Sequence, residues 1–173
     1  MLFRSDIDAW VEGSKGMAAR GVSPQHVVTP NEIIVNGTNA LAISTCLVMT
    51  RFEMEGAEFD INALFRIVAR AVKIGNDWKL RTLNCIYVQD SIQPAIPRVG
   101  DHVNFDLSIV ADARKSYRAL CWSIARKGGK PNLDMMGEDN PQEAEDFMMS
   151  NALIPRSPQF PSMTIPGQPG QPG

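Results

Sequence analysis

The chain contains two histidines, His26 and His102, and His26 heads a run of β-formers, His26-Val27-Val28. A neutral imidazole facing an apolar space takes or gives a proton near neutral pH, so His26 is the leading candidate for acid–base chemistry. Asp90 and Tyr87 close a second β-rich run. A carboxylate near an imidazole orients it or serves as a base, and a phenol polarises a carbonyl. Tyr87 and Asp90 are three positions apart, which places them on opposite sides of a continuous strand. Both line one pocket only if a bulge or the strand end intervenes. The plainer roles are backbone hydrogen bonding for His26, turn capping for Asp90 and packing for Tyr87.

Ligand contacts have their own candidates. Arg66 occupies an inner strand position; if buried, its guanidinium needs a carboxylate, from a structural ion pair or from an acidic ligand group, and the plainer reading is that ion pair or a simply exposed position. Asn84 alternates in register with Trp78, Leu80, Thr82 and Ile86; on a core face its amide must find a partner, and a ligand is one. Trp78 follows a turn, which suits aromatic stacking or plain packing. Met135-Met136 and Met148-Met149 offer adaptable apolar contacts, as lid or as core. Glu138, Asp139, Glu143, Glu145 and Asp146 surround an expected helix start, where acids suit the helix dipole better than they suggest a metal. The sequence has no His-x-x-x-His, no Gly-x-Gly-x-x-Gly, no P-loop and no Gly-x-Ser-x-Gly elbow. The expectation is a site with no metal and no cofactor.

Four long β-rich runs must hold these residues, at about 25–35, 40–53, 58–74 and 78–89. The turns between them are Asn36-Gly37-Thr38-Asn39, Met54-Glu55-Gly56-Ala57 and Gly75-Asn76-Asp77. Short turns between consecutive strands predict an antiparallel meander, and strands this long must twist, so the sheet should curve. In the third run Phe59, Ile61, Ala63, Phe65, Ile67, Ala69 and Ala71 share a wholly apolar side. The opposite side, with Asp60, Asn62, Arg66 and Arg70, is mixed. That asymmetry predicts a core on one side and a partly polar surface on the other. Helices are expected over 6–20, with Ile7, Trp10, Val11 and Met17 as apolar stripe and Asp6 as cap, over 114–127, and over 141–153, with Asn140 as cap. Pro94, Pro97 and Gly100 mark an irregular connection, and 155–173 reads as a disordered Pro/Gly tail. The fold class is α+β.

A chain of 173 residues, 44% hydrophobic, suffices for one domain with a real core. A net charge of −2 gives no reason to expect nucleic acid or an anionic membrane as partner. No apolar run approaches the ~20 residues of a membrane span, and residues 1–8 lack the apolar stretch of a secretory signal. Cys46, Cys85 and Cys121 are odd in number and widely spaced, which predicts buried reduced thiols in a cytoplasmic protein.

The segment from His26 to Ala40, His-Val-Val-Thr-Pro-Asn-Glu-Ile-Ile-Val-Asn-Gly-Thr-Asn-Ala, resembles a pattern of the SnoaL-like, nuclear transport factor 2-like proteins: a His-headed strand, a turn, and a small residue opening the next strand. Gly75-Asn76-Asp77-Trp78-Lys79-Leu80 is similar to that family's turn before its last strand, and Tyr87-Val88-Gln89-Asp90 to its strand ending. Ser116-Tyr117-Arg118-Ala119-Leu120 and Met136-Gly137-Glu138-Asp139-Asn140-Pro141 resemble a C-terminal extension of one subset. The main resemblance covers about 6–97 and implies a cone: a curved antiparallel sheet wrapped by helices, with a pocket at the wide end and frequent dimerisation. The family usually opens with two helices and a short strand, for which the residues before His26 leave no room, and Leu2-Phe3-Arg4-Ser5 resembles a translated adapter. The expectation is therefore an N-terminally truncated cone domain over 1–98, a helical extension over 99–154 and the tail.

The resemblance implies cofactor-free acid–base chemistry of isomerase, dehydratase or cyclase type on a small apolar or aromatic molecule. His26 would shuttle the proton, Asp90 would orient it, and Tyr87 or Asn84 would donate a hydrogen bond. Fold does not fix chemistry, so a non-catalytic ligand-binding or homodimerisation module, or an inactive fragment, are the alternatives. The side chains of His26 and Asp90 discriminate: convergence in a closed pocket favours catalysis, and exposure or a filled sheet face favours binding or structure.

Overall fold

The computed structural model describes residues 7–19, 21–99 and 101–151. Its centre is a curved antiparallel meander, ordered β1-β2-β3-β4, made of Gln25–Asn36, Asn39–Met54, Ala57–Ile74 and Asp77–Pro94. β2 and β3 pair without interruption from Asn39↔Val72 to Met54↔Ala57. Glu55 and Gly56, the two turn residues, both take positive φ (53° and 78°), the twist-matched form of a two-residue hairpin. β4 runs past Asp90 to Pro94, beyond the predicted end, because 91–94 continue to pair with β3. Proline ends the strand, where a missing N–H is tolerated.

Three bulges shape the sheet. Asn31 in β1, and Arg81 and Val88 in β4, each stand unpaired against a regular neighbour. A bulge bends its strand and increases twist, and it shifts the in/out alternation by one. That shift decides which side chains share a face below.

Both faces of the sheet carry a core, where the sequence predicted one. On the first face Cys46, Ala63, Phe65, Cys85 and Tyr87 are buried beneath Tyr117, Cys121 and Trp122. The covering layer is two 3₁₀ turns, Leu107–Val110 and Lys115–Tyr117, followed by α2, Arg118–Ala125. The predicted helix from 114 thus starts as a 3₁₀ turn: Arg114 is extended, and Tyr117, at φ −147° and ψ 24°, leaves helical geometry. The Tyr117 hydroxyl donates to the Leu133 carbonyl at 2.6 Å. On the second face α3, Pro141–Asn151, lays Ala144, Phe147 and Met148 on Leu41, Val68 and Ile86. The mixed pattern of that face is resolved by length. Its apolar residues meet α3, and Arg51 donates twice to Asp60 across β2 and β3, both at 2.9 Å, while the Nε atoms of Arg66 and Arg70 on this face are buried without a hydrogen-bond partner among the described residues.

α1, Ile7–Ala19, stands apart. None of its residues is buried, and its stripe of Ile7, Trp10, Val11 and Met17 is exposed. Gly21 closes it, with φ 72°, its own N–H bonded to the Ala18 carbonyl and the Val22 N–H to the Met17 carbonyl. This is a Schellman cap. The expected cap Asp6, the end of the third predicted helix and the Pro/Gly tail lie outside the described residues.

Candidate functional site

The bulge at Val88 brings two predicted residues together. Phe65 pairs with Tyr87 and Ala63 with Asp90, so Tyr87 and Asp90 share the α2 face, where uninterrupted alternation predicted opposite sides. Neither faces an open pocket. Tyr87 is 3% exposed, wedged 5.4 Å from the Phe65 and Tyr117 ring centroids, and its backbone bridges to the strand-like stretch at Gly137. Burial pushes its hydroxyl pKa well above the ordinary value. The Asp90 carboxylate accepts the Leu120 N–H at 2.8 Å, capping the first turn of α2 from across the interface. Desolvation raises the Asp90 pKa, against the lowering effect of the Leu120 and Ala119 N–H groups and of Arg118.

His26 lies in the same cross-strand row, His26–Val48–Ala63–Asp90, on the same face. Three strand spacings separate it from Asp90, about 14 Å along the sheet. His26 is exposed on the edge strand, so the structure does not join the two into an acid–base pair.

The bulge at Arg81 corrects a second grouping. Asn84, Thr82 and Ile86 belong to the α3 face, whereas Trp78 and Leu80 belong to the α2 face. Arg66 lies on the α3 face and donates to Glu138 at 2.6 Å, the structural ion pair, with both side chains 38% exposed. Of the methionines, Met135 is buried, Met136 and the α3 residue Met148 pack against the Leu41–Val68–Ile86 cluster, and Met149 is exposed.

The most densely bonded polar group escaped the sequence reading. Arg114 donates to Asp139 and Glu143, each at 2.6 Å, and to the carbonyls of Met135 and Gly137. It ties the loop before α3 to the layer that covers the α2 face. The Asp139 hydrogen bond leads in raising the Arg114 pKa. Gly137 has no room for a Cβ against Ser116 and Asp139. Two of the acids read as dipole partners are therefore ligands of one guanidinium. Among the described residues no group of three metal-ligating side chains occurs.

The α2 face has a second half that no other described residues cover. Beyond the Cys46–Phe65–Tyr87 row, the central strands present Ala40, Ala42, Ala69 and Ala71. The outer strands present Ile33 and Val35 on one side and Leu80, Leu83 and Trp78 on the other. Small residues between large ones make a trough. Its rims are open, with Ile33 67%, Val35 59%, Leu80 58% and Trp78 43% exposed.

Two fungal proteins are similar to this chain. A PEP2-like protein of Fusarium vanettenii is 33% identical over 110 residues, 63% of this chain and 46% of that protein. Pea pathogenicity protein 2 of the same fungus is 31% identical over 106 residues, 61% of this chain and 45% of that protein. The chain spans just under half the length of the curated relatives it matches. No family model matches the chain. Among the described residues no helix is long and apolar enough to cross a membrane.

Proposed function

We propose that this chain is a non-catalytic binding module of the SnoaL-like, nuclear transport factor 2-like kind, whose working surface is the bare trough on the α2 face. The ligand class is a small apolar or aromatic molecule. The observation that carries this reading is the trough itself: large apolar rims left exposed around a floor of alanines. A ring lying on the alanine floor buries its faces there and its edges against Ile33 and Leu80. Along the alanine floor the central strands carry no charged side chain; Lys73 lies on this face at its far end, beside Trp78. The curved four-stranded meander and the ordered local resemblances support the fold assignment. Three separate buried thiols, Cys46, Cys85 and Cys121, fit a reducing, cytoplasmic setting.

The acid–base reading draws less support from the geometry. Its proton shuttle, His26, is exposed, and its partner, Asp90, is engaged as a helix cap. The test is a thermal-shift titration with naphthalene-class compounds. Saturable stabilisation of the full chain, abolished by Leu80→Asp, is expected. Equal stabilisation of the Leu80→Asp variant would overturn the trough as the site.

A further inference from the structure

The α3 face carries two arginines of β3, Arg66 and Arg70, and their charges are met differently. Arg66 has Glu138 at 2.6 Å. Arg70 has neither a carboxylate nor a hydrogen-bond partner among the described residues. The apolar diagonal that α3 covers, Ile86, Val68 and Leu41, passes between the two, which puts them on opposite flanks of the helix. The Nε of Arg70 is shut off from water, while its side chain as a whole is half-buried. A guanidinium has five donors and no acceptor, and a charge that has lost part of its hydration needs an anion beside it.

The neighbours of Arg70 are further donors. Thr82 is its direct partner on β4, with Cβ atoms about 5 Å apart, and Asn84 is its diagonal neighbour at about 7–8 Å. Neither Thr82 nor Asn84 has a side-chain hydrogen bond among the described residues. The bulge at Arg81 assembles this set, because without it Thr82 and Asn84 would lie on the α2 face. No acid is left over to neutralise it. Asp77 is taken by Lys79 in the next row, at 3.5 Å, and Glu143 of α3 is held by Arg114. Arg81 itself, exposed beside Thr82, adds a second positive charge with no ion pair among the described residues.

We infer that Arg70, Thr82 and Asn84 form a site for an oxyanion, the carboxylate of an organic acid or a phosphate group. Arg70 supplies the planar N–H fork that fits two oxygens of such an anion, and the Thr82 hydroxyl and Asn84 amide donate from the neighbouring strand. The anion gives the Asn84 amide the partner that its place in the sheet demands. The site lies across the sheet from the trough, so its occupation is read separately from any ligand there.

The experiment is heteronuclear NMR of the full chain at constant ionic strength, with sodium acetate in one arm, sodium phosphate in a second and sodium chloride as control. The Arg70 Nε–H and the Asn84 side-chain amide are the reporters. Saturable shifts of both with acetate or phosphate, and none with chloride, are expected, and the tighter arm tells a carboxylate site from a phosphate site. The Arg66 Nε–H, beside Glu138, should stay still. Arg70→Met should weaken binding at least tenfold, and Thr82→Val about threefold, both read at Asn84 with far-UV circular dichroism reporting an intact sheet. Shifts that saturate with neither oxyanion, that chloride reproduces, or that move Arg66 and Arg70 alike overturn the site. So does an Asn84 response that both substitutions leave unchanged.

Discussion

The two halves of the α2 face are built from one alternating pattern and end differently. In the half near the β2–β3 turn, Phe59, Ala63, Phe65 and Tyr87 meet a layer of aromatic and polar groups, each with a partner. Trp122 donates its indole N–H to the Asp106 carbonyl at 3.1 Å, and Arg126 stacks 4.3 Å from the Phe52 ring centroid. In the other half the same strands carry Ala42, Ala69 and Leu80 into the open. The periodicity of a strand says which residues share a face; what lies over that face depends on chain far away in sequence. Stability should therefore reside in the covered half and binding in the bare one.

The most disruptive change to that division is Tyr117→Ala. Tyr117 is fully buried and its hydroxyl is bonded, so a loss of about 3–5 kcal/mol is expected in denaturant unfolding. Arg114→Met comes next. It strands Asp139 and Glu143 beside two carbonyls, and since the arginine is a quarter exposed the loss should be roughly 2–4 kcal/mol, below the full cost of breaking a buried pair. Asp90→Ala removes the cap on α2 and should cost about 1 kcal/mol, whereas Asp90→Asn keeps an acceptor and should cost less.

Asp90 also gives a pH signature. Its folded pKa is raised by burial above the unfolded value, so the ionised form is disfavoured in the folded chain. Its favourable contribution is fully present below the unfolded carboxylate value and is lost as pH rises through the folded one. The Tm of wild type relative to Asp90→Asn should therefore rise as pH falls through that window. A flat difference would mean that the carboxylate is well solvated. At the small end, Leu80→Asp should alter stability by no more than about 0.5 kcal/mol while removing ligand binding. A large destabilisation would show that the trough is covered core.

The sheet was legible in the sequence because turns at Gly37, Gly56 and Gly75 punctuate long β-rich runs, and the apolar side of β3 is unbroken from Phe59 to Ala71. The bulges were not legible. Val88 and Arg81 carry no mark that sets them apart from paired residues, yet they move Asp90 beside Tyr87 and Asn84 away from Trp78. The Arg114 clasp was hidden for another reason. Its partners lie 25 and 29 positions away, and only the fold brings them near. The trough was half visible: the alanines at 40, 42, 69 and 71 stood in the alternating pattern, but their exposure depends on where α2 stops.

The most direct measurement is methyl NMR of the full chain during titration with a naphthalene-class compound. Saturable shifts at Ile33, Val35 and Leu80, with the methyls beneath α2 unmoved, are the predicted result. Shifts that gather around Val48 and Ala63, between His26 and Asp90, while Ile33 and Leu80 stay still would contradict it.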